Sequence, residues 1–273
     1  MVDTEQLEKI GEGREAEMFA WGDGKILRLL RDPTRRVGVQ WEAAAMQTAR
    51  DRGLPVPAIY GIEEVMGRPG IIMERVDGTD LLTQISSRPW TLWKAGDILG
   101  EVHAGLHSAP ASERLPELRP RMAERITANH EIPRPLARYA TEALQQLPDG
   151  DRMCHFDFHP ANVLMSPNGP VVIDWTGVKR GDHHADVARS VLILRLGEPP
   201  PGSISAVMRV LTRFARGILL NRYLKSYKRS GQLDDALVDR WLPVCAVDRL
   251  LDGIPEEIPA IRRLLEKAGA PLP

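Results

Sequence analysis

The chain carries the stretch His155-Phe156-Asp157-Phe158-His159-Pro160-Ala161-Asn162-Val163-Leu164, followed by Val171-Val172-Ile173-Asp174-Trp175. A carboxylate is followed five residues later by an amide. A second carboxylate stands behind two apolar runs joined at Ser166-Pro167-Asn168-Gly169, which reads as a hairpin turn. Transfer of a phosphoryl group to a hydroxyl needs one group that orients the hydroxyl and accepts its proton. It also needs oxygen ligands that hold Mg²⁺ against the phosphates. Asp157 suits the first task; Asn162 and Asp174, with no thiolate beside them, suit the second.

Outward from this segment the chain divides by pattern. Upstream, residues 25–30 alternate as a strand after the Trp21-Gly22-Asp23-Gly24 turn, and residues 37–52 have the helical period with Gly53 as the stop. Further strands are expected at 58–62 and 70–76, with Arg68-Pro69 at the turn between them. Beyond Asp77-Gly78 the pattern turns helical, first at 90–107, where Leu92, Ala95, Leu99, Val102 and Leu106 form one stripe, then at 119–129 and 135–147. Short strands at 153–156, 162–165 and 170–175 interrupt it, and helices dominate from 185 onward apart from a proline-rich loop at 198–202. The expectation is an α+β chain in two lobes: a small β-rich lobe over residues 1–76 and a larger, mainly helical lobe over 77–273.

The segments HFDFHPANVL and VVIDW, continued by Gly181-Asp182-His183-His184-Ala185-Asp186-Val187-Ala188-Arg189, resemble the catalytic loop and metal-binding segment of the aminoglycoside phosphotransferase and choline kinase family. That family is built like the protein kinases. The resemblance implies that Asp157 is the catalytic base, that Asn162 and Asp174 are metal ligands, and that His155 braces the loop. It implies an N-terminal nucleotide-binding lobe, ATP or another nucleoside triphosphate, Mg²⁺, and a small-molecule hydroxyl acceptor. Asp182 and Asp186 are expected to cap and orient the next helix, with His183 and His184 at the surface or behind the ligands.

A kinase-like site also implies three features upstream. Gly11-Glu12-Gly13 is the candidate loop over the phosphates, with Glu12, Glu15 and Glu17 required to face away. For the phosphate-binding cation, distance from the Asp23-Gly24 turn favours Arg28 over Lys25, and the two point to opposite faces of a strand. Arg28 in the usual lysine place is a departure, because a guanidinium is not interchangeable with an ammonium. Glu42 is the candidate acidic partner. Residues 71–78 resemble the interlobe linker, where adenine would lie against Met73 and Val76, with the backbone of Glu74 to Val76 reading its edge.

Two other readings stand beside this one. His155, Asp157 and His159 would share one face of a strand, as ligands of a zinc hydrolase might, with His183 or His184 completing the set. A nucleotide-binding but inactive chain is kept open by Arg28 alone. The net charge of −1 gives no reason to expect nucleic acid or an anionic membrane as partner. No apolar run approaches a membrane span, the first six residues lack a signal-peptide core, and two separated cysteines suit a reducing compartment, so the cytoplasm is expected. From residue 180 onward 15 Lys or Arg face 11 Asp or Glu, so no acidic excess marks a pocket for a polycation. Trp241, Arg249 and Asp252 are candidates for its lining, with core packing favoured for the tryptophan.

Overall fold

The computed structural model describes residues 7–13, 15–108, 110–196 and 206–272. The expectations for residues 1–6, for Arg14 and for the proline-rich loop at 198–202 lie outside them.

The N-terminal part is an antiparallel sheet of five strands in the order β1-β2-β3-β5-β4, formed by β1 (Lys9–Glu12), β2 (Ala16–Ala20), β3 (Lys25–Leu30), β4 (Ile59–Val65) and β5 (Arg68–Glu74). The central strand β3 shows why it folds: alternate side chains serve two different layers. Leu27 and Leu29 join Phe19, Val65 and Ile72 on one face. Ile26 and Leu30 turn to the other, with Val39 and Met46 of α1 (Arg36–Asp51). The α1 stripe Val39, Glu42, Ala43, Met46 and Ala49 has helical spacing and puts one glutamate into an otherwise apolar face. Gly53, at φ 72°, ends the helix in the left-handed conformation, with its amide on Arg50 O and that of Leu54 on Ala49 O.

The β4–β5 turn lies at Met66-Gly67, one step before the expected Arg68-Pro69. Both residues have positive φ (53° and 75°), the signature of a two-residue hairpin turn, so Arg68 already pairs with Val65 in the ladder. After the linker the chain forms β6 (Thr79–Asp80) and α2 (Leu81–Ser87), a helix the sequence pattern did not announce; Asp80 starts it by accepting from Thr83 N. Helix α3 (Leu92–Leu106) follows a 3-10 turn at Pro89–Thr91, then come α4 (Leu118–Ala128) and α5 (Arg134–Gln145).

Two small sheets carry the central motif. β7 (Arg152–Cys154) pairs with β10 (Lys179–Gly181), and β6, β8 (Val163–Ser166) and β9 (Gly169–Val172) form a three-stranded sheet. Both β7 and β9 stop earlier than expected, because Phe156 (φ 66°) and Asp174 (φ 60°) are left-handed and take the backbone out of the strand. Helix α6 (His183–Leu196) is buried on nearly every side, and α7 (Ala206–Ser230), α8 (Asp235–Leu250) and α9 (Ile258–Lys267) complete the chain. A single apolar cluster runs from Leu30 and Met46 through Trp175 and Val187 to Leu265. No helix among the described residues is long and apolar enough to cross a membrane.

Helices α3 and α7 run in the same direction in close contact: Gly96 lies against Leu219 and Arg222, Gly100 against Tyr223 and Tyr227, and Ala104 against Gly231. A Cβ on Gly100 would sit 2.5 Å from Tyr223 O and 2.6 Å from Tyr227 N, backbone atoms that cannot swing aside. Gly100→Ala is therefore expected to lower the unfolding free energy by about 1–3 kcal/mol, the usual cost of overpacking. Urea denaturation measures it; an unchanged midpoint would mean that the helices pack less tightly than described.

Candidate active site

The loop after β7 is held from inside. His155 is fully buried and donates from Nε2 to Ile173 O (3.0 Å), while its Nδ1 accepts from Asp157 N (3.3 Å). This ties the loop to the end of β9. A short 3-10 turn (Pro160–Asn162) then brings the chain back: Ala161 N donates to His159 Nδ1, and the Asn162 amide nitrogen donates to Asp157 O (2.8 Å) and Oδ2 (3.3 Å). With its nitrogen so engaged, Asn162 keeps its amide oxygen as the end that can meet a cation. Ile173 N donates to Asn162 O, so Asn162 stands beside the strand end that carries Asp174.

Asp157 remains a charged carboxylate. Burial raises its pKa, but the His159 ring 3.6 Å away, aided by His155 and Arg189, outweighs burial and brings it down to about 2. Phe156, next to it, lies between two cations: Lys179 Nζ is 4.6 Å and the Arg189 guanidinium 5.3 Å from its ring centre. Burial takes Lys179 down to about 8, and its ammonium donates to Gly177 O.

Arg28 joins the sheet to this site. Its Nη1 donates to Glu42 Oε2 (3.0 Å) and its Nη2 to Asp174 Oδ1 (3.3 Å), so one guanidinium spans β3, α1 and the segment after β9. Arg28 and Glu42 are almost wholly enclosed, whereas the Asp174 side chain is 42% exposed and also accepts from Thr176 Oγ1. Burial pushes the Glu42 carboxyl up to about 7 against the opposing pull of Arg28. Lys25 is elsewhere, with its ammonium 4.6 Å from the centre of the Tyr60 ring.

The three glutamates near Gly11 and Gly13 are drawn off by basic neighbours: Glu12 by Lys9 and Arg31, Glu15 by Arg35, and Glu17 by Lys9 and Arg68. Along the linker, Met73 is buried and the half-exposed Glu74 side chain accepts from Ala58 N (3.0 Å) and faces Arg50. Arg75 N donates to Gly24 O, while Val76 N makes no hydrogen bond among the described residues.

Some expectations need correcting. Asp182 does begin α6, accepting from His184 N, but Asp186 is no cap: its carboxylate turns inward to His155 N (2.6 Å) and Phe156 N (2.8 Å). Of the two places expected for His184, it takes the one away from the surface: it is buried, with Nδ1 2.7 Å from Asp182 Oδ1 and Nε2 accepting from Asp234 N. Trp241 is a core residue whose Nε1 donates to Asp182 Oδ2. The metal-ligand reading of His155, Asp157 and His159 finds no support, because both nitrogens of His155 are engaged by backbone groups of Asp157 and Ile173; the triplets of potential ligands among the described residues are His103, His107, Asp186 and Asp182, His183, His184. Sequence reasoning missed His103 and His107 altogether; their four-residue spacing on the buried face of α3 was the available signal.

On the far side of Phe156, Arg189 pairs with Asp248 and Asp252, Arg125 with the same two, and Arg249 with Asp252 and, through two bonds of 2.7 and 2.8 Å, with Glu257. Three guanidinium groups thus meet three carboxylates.

Similarity to known proteins agrees with this architecture. Among curated proteins none matches the sequence. Solved structures share the fold at low identity. A thermostable mutant of aminoglycoside phosphotransferase APH(4)-Ia, in ternary complex with ADP and hygromycin B, is 17% identical at a TM-score of 0.64, covering 98% of this chain and 95% of that one. An amicoumacin kinase in complex with AMP-PNP, Ca²⁺ and Ami is 15% identical at 0.65, covering 96% and 87%. An aminoglycoside-3'-phosphotransferase of type VIII is 20% identical at 0.63, covering 89% and 93%. The sequence itself matches the description "Phosphotransferase enzyme family" over residues 6–227, most of its length, and the chain belongs to that family.

Proposed function

We propose that the protein is an ATP-dependent, Mg²⁺-assisted kinase that transfers a phosphoryl group to a hydroxyl of a small molecule, with residues 1–76 as the nucleotide-binding lobe and 77–273 as the catalytic and acceptor-binding lobe. The observation that carries it is the Asn162 bond to Asp157, which orients a charged carboxylate and an amide oxygen in one loop. Family membership supports the reaction class. The structural relatives complexed with ADP or AMP-PNP support nucleotide use.

In this reading Asp157 accepts the hydrogen bond of the acceptor hydroxyl and takes its proton late, as bond formation to phosphorus makes the oxygen acidic. A carboxylate with a pKa of about 2 is a weak base but a strong orienting acceptor. That suits a loose phosphoryl-transfer transition state, which asks more for alignment than for deprotonation. The donor set fits a hard divalent cation: Asn162 offers an amide oxygen and Asp174 a half-open carboxylate. Mg²⁺ held there would neutralise charge on the phosphate oxygens.

Arg28 reaches toward the phosphates from its seat between Glu42 and Asp174, in the role a lysine has in the related family. The backbone of Gly11 and Gly13 covers the phosphates, and the space around both glycines would admit a methyl group, so packing within the chain is not what requires them. Adenine lies against Met73 and Val76, with the unpaired Val76 N–H and the carbonyl of Glu74 available to its edge. The acceptor class, whether aminoglycoside-like, sugar or amino alcohol, is open, with hygromycin B, kanamycin and amicoumacin as the compounds in the relatives' complexes. Two buried free cysteines support a cytoplasmic setting, without nucleic acid or membrane as partner.

ATP turnover against a panel of hydroxyl compounds tests the reading. Asp157→Ala is expected to lower kcat about 10²–10⁴-fold while leaving nucleotide affinity intact; equal turnover of the true acceptor by both proteins would sink the assignment. Because Asp157 is ionised above about pH 3, the rate profile between pH 5 and 8 should show no limb that Asp157→Glu displaces. Arg28→Lys, which cannot span Glu42 and Asp174 at once, should weaken Mg·ATP binding about ten-fold by calorimetry, the worth of one charge-assisted hydrogen bond. Unchanged affinity would put Arg28 outside the nucleotide site.

A further inference from the structure

Beneath the loop that carries Asp157 lies a closed set of polar groups that no step of the transfer uses. Asp186, in the first turn of α6 and fully buried, accepts from His155 N and Phe156 N, the two amides immediately before Asp157. Two rings reach its Oδ2 from α3 and its C-cap residue: His107 Nε2 is hydrogen-bonded at 3.1 Å, and His103 Nε2 lies at 3.1 Å without hydrogen-bond alignment. The second nitrogen of each ring meets a tyrosine on α7, His103 Nδ1 at 2.7 Å from Tyr223 Oη and His107 Nδ1 at 2.7 Å from Tyr227 Oη. Both tyrosines are buried, and both helices present their pair four residues apart.

Chemistry fixes the protons. A carboxylate accepts only, so the His107 imidazole must carry its hydrogen on Nε2 and accept at Nδ1, and Tyr227 must donate its O–H. Burial lowers His103 and takes His107 down to about 4, which leaves both rings neutral near pH 7. For Asp186 burial acts upward, but the two histidines outweigh it and hold the carboxyl well below its usual range. The result is one buried negative charge that accepts from three N–H donors, His155 N, Phe156 N and His107 Nε2, with the His103 ring in contact beside it.

This cluster touches the loop on both sides of Asp157. Before it, Phe156 is left-handed (φ 66°), a conformation costly for a residue with a Cβ and therefore in need of restraint. After it, Phe158 stacks on the His103 ring, with centroids 4.1 Å apart and planes at 17°. We propose that His103, His107, Tyr223 and Tyr227 are positioning residues that set the Asp157 loop through Asp186, so that the packing of α3 on α7 fixes where Asp157 points.

The inference rests on Asp157 as proton acceptor, and two readouts separate its failure from the failure of that reading. The first needs no substrate: hydrogen exchange of the His155 and Phe156 amides in the nucleotide-free protein. His107→Leu, which removes the donor, should speed exchange at these two amides about ten-fold and leave α6 amides such as Val191 and Leu192 unchanged. His107→Gln, whose amide can still donate to Asp186, should restore protection. If His107→Leu does not fold, Tyr227→Phe decides, since it removes only the O–H; a several-fold acceleration at the same two amides is expected. No acceleration, or an equal one in α6 and in the Gln variant, overturns the proposal. So does loss of protection on dialysis against EDTA, which would assign His103, His107 and Asp186 to a metal ion.

The second readout is ATP turnover with the acceptor found in the panel. Here kcat should fall about ten-fold in His107→Leu with KM for ATP unchanged, and recover in His107→Gln. A parallel rise in KM for ATP would make the cluster a general structural support and overturn the proposal. If exchange responds and kcat does not, the anchoring stands and the role given to Asp157 falls.

Discussion

A single guanidinium holds the two halves of the site in register. Arg28 is buried in a sheet, where an unpaired charge would be prohibitive, and its two partners come from different places: Glu42 from the helix behind the sheet and Asp174 from the segment that follows β9. The glutamate is equally dependent, for it occupies a position in the buried stripe of α1 that would otherwise take an apolar residue. Neither charge is tolerable without the other. Their pairing therefore fixes how α1 sits on the sheet, and the second arm of the guanidinium carries that constraint to the exposed carboxylate of Asp174.

Charge pairing repeats at the other end of the site with a different outcome. Around Arg125, Arg189 and Arg249 the carboxylates of Asp248, Asp252 and Glu257 are each met by at least one guanidinium. Such a network resists rearrangement, since removal of one member strands another in a partly dry setting. It also agrees with the absence of an acidic excess in the sequence beyond residue 180. The Arg189 guanidinium beside Phe156 is thus part of a neutralised layer.

The sequence made the central strand, the first helix and the motif residues legible, because each depends on local pattern. Residues 25–30 alternate and β3 is Lys25–Leu30; the periodic stretch 37–52 is α1 within one residue at each end; Asp157 and Asn162 lie in one bonded loop. What escaped notice depends on partners distant in the chain. Helix α2 is short, with one buried residue, so seven residues gave no period to detect. From the sequence Asp186, like Asp182, reads as a residue that caps and orients the next helix. Its real partners are backbone amides thirty and thirty-one positions upstream, which no local pattern encodes. The histidines of α3 were hidden for the same reason, being polar residues on an apolar stripe whose satisfying groups come from α7, α6 and the loop. The left-handed residues Phe156 and Asp174 shortened two strands, and a phenylalanine does not advertise that conformation, whereas an aspartate adopts it more readily.

The parallel course of α3 and α7 has a consequence for how the chain reaches its final form. Two antiparallel helices joined by a short turn can pair early and locally, but these two are separated by everything between Leu106 and Ala206, including the whole motif segment. Closing so long a loop costs entropy that only late contacts can offset. The glycines that let the helices touch are useful only once that closure has happened. Mating of α3 with α7 is thus an end-stage event, and a chain that has accomplished it has already enclosed the segment bearing Asp157.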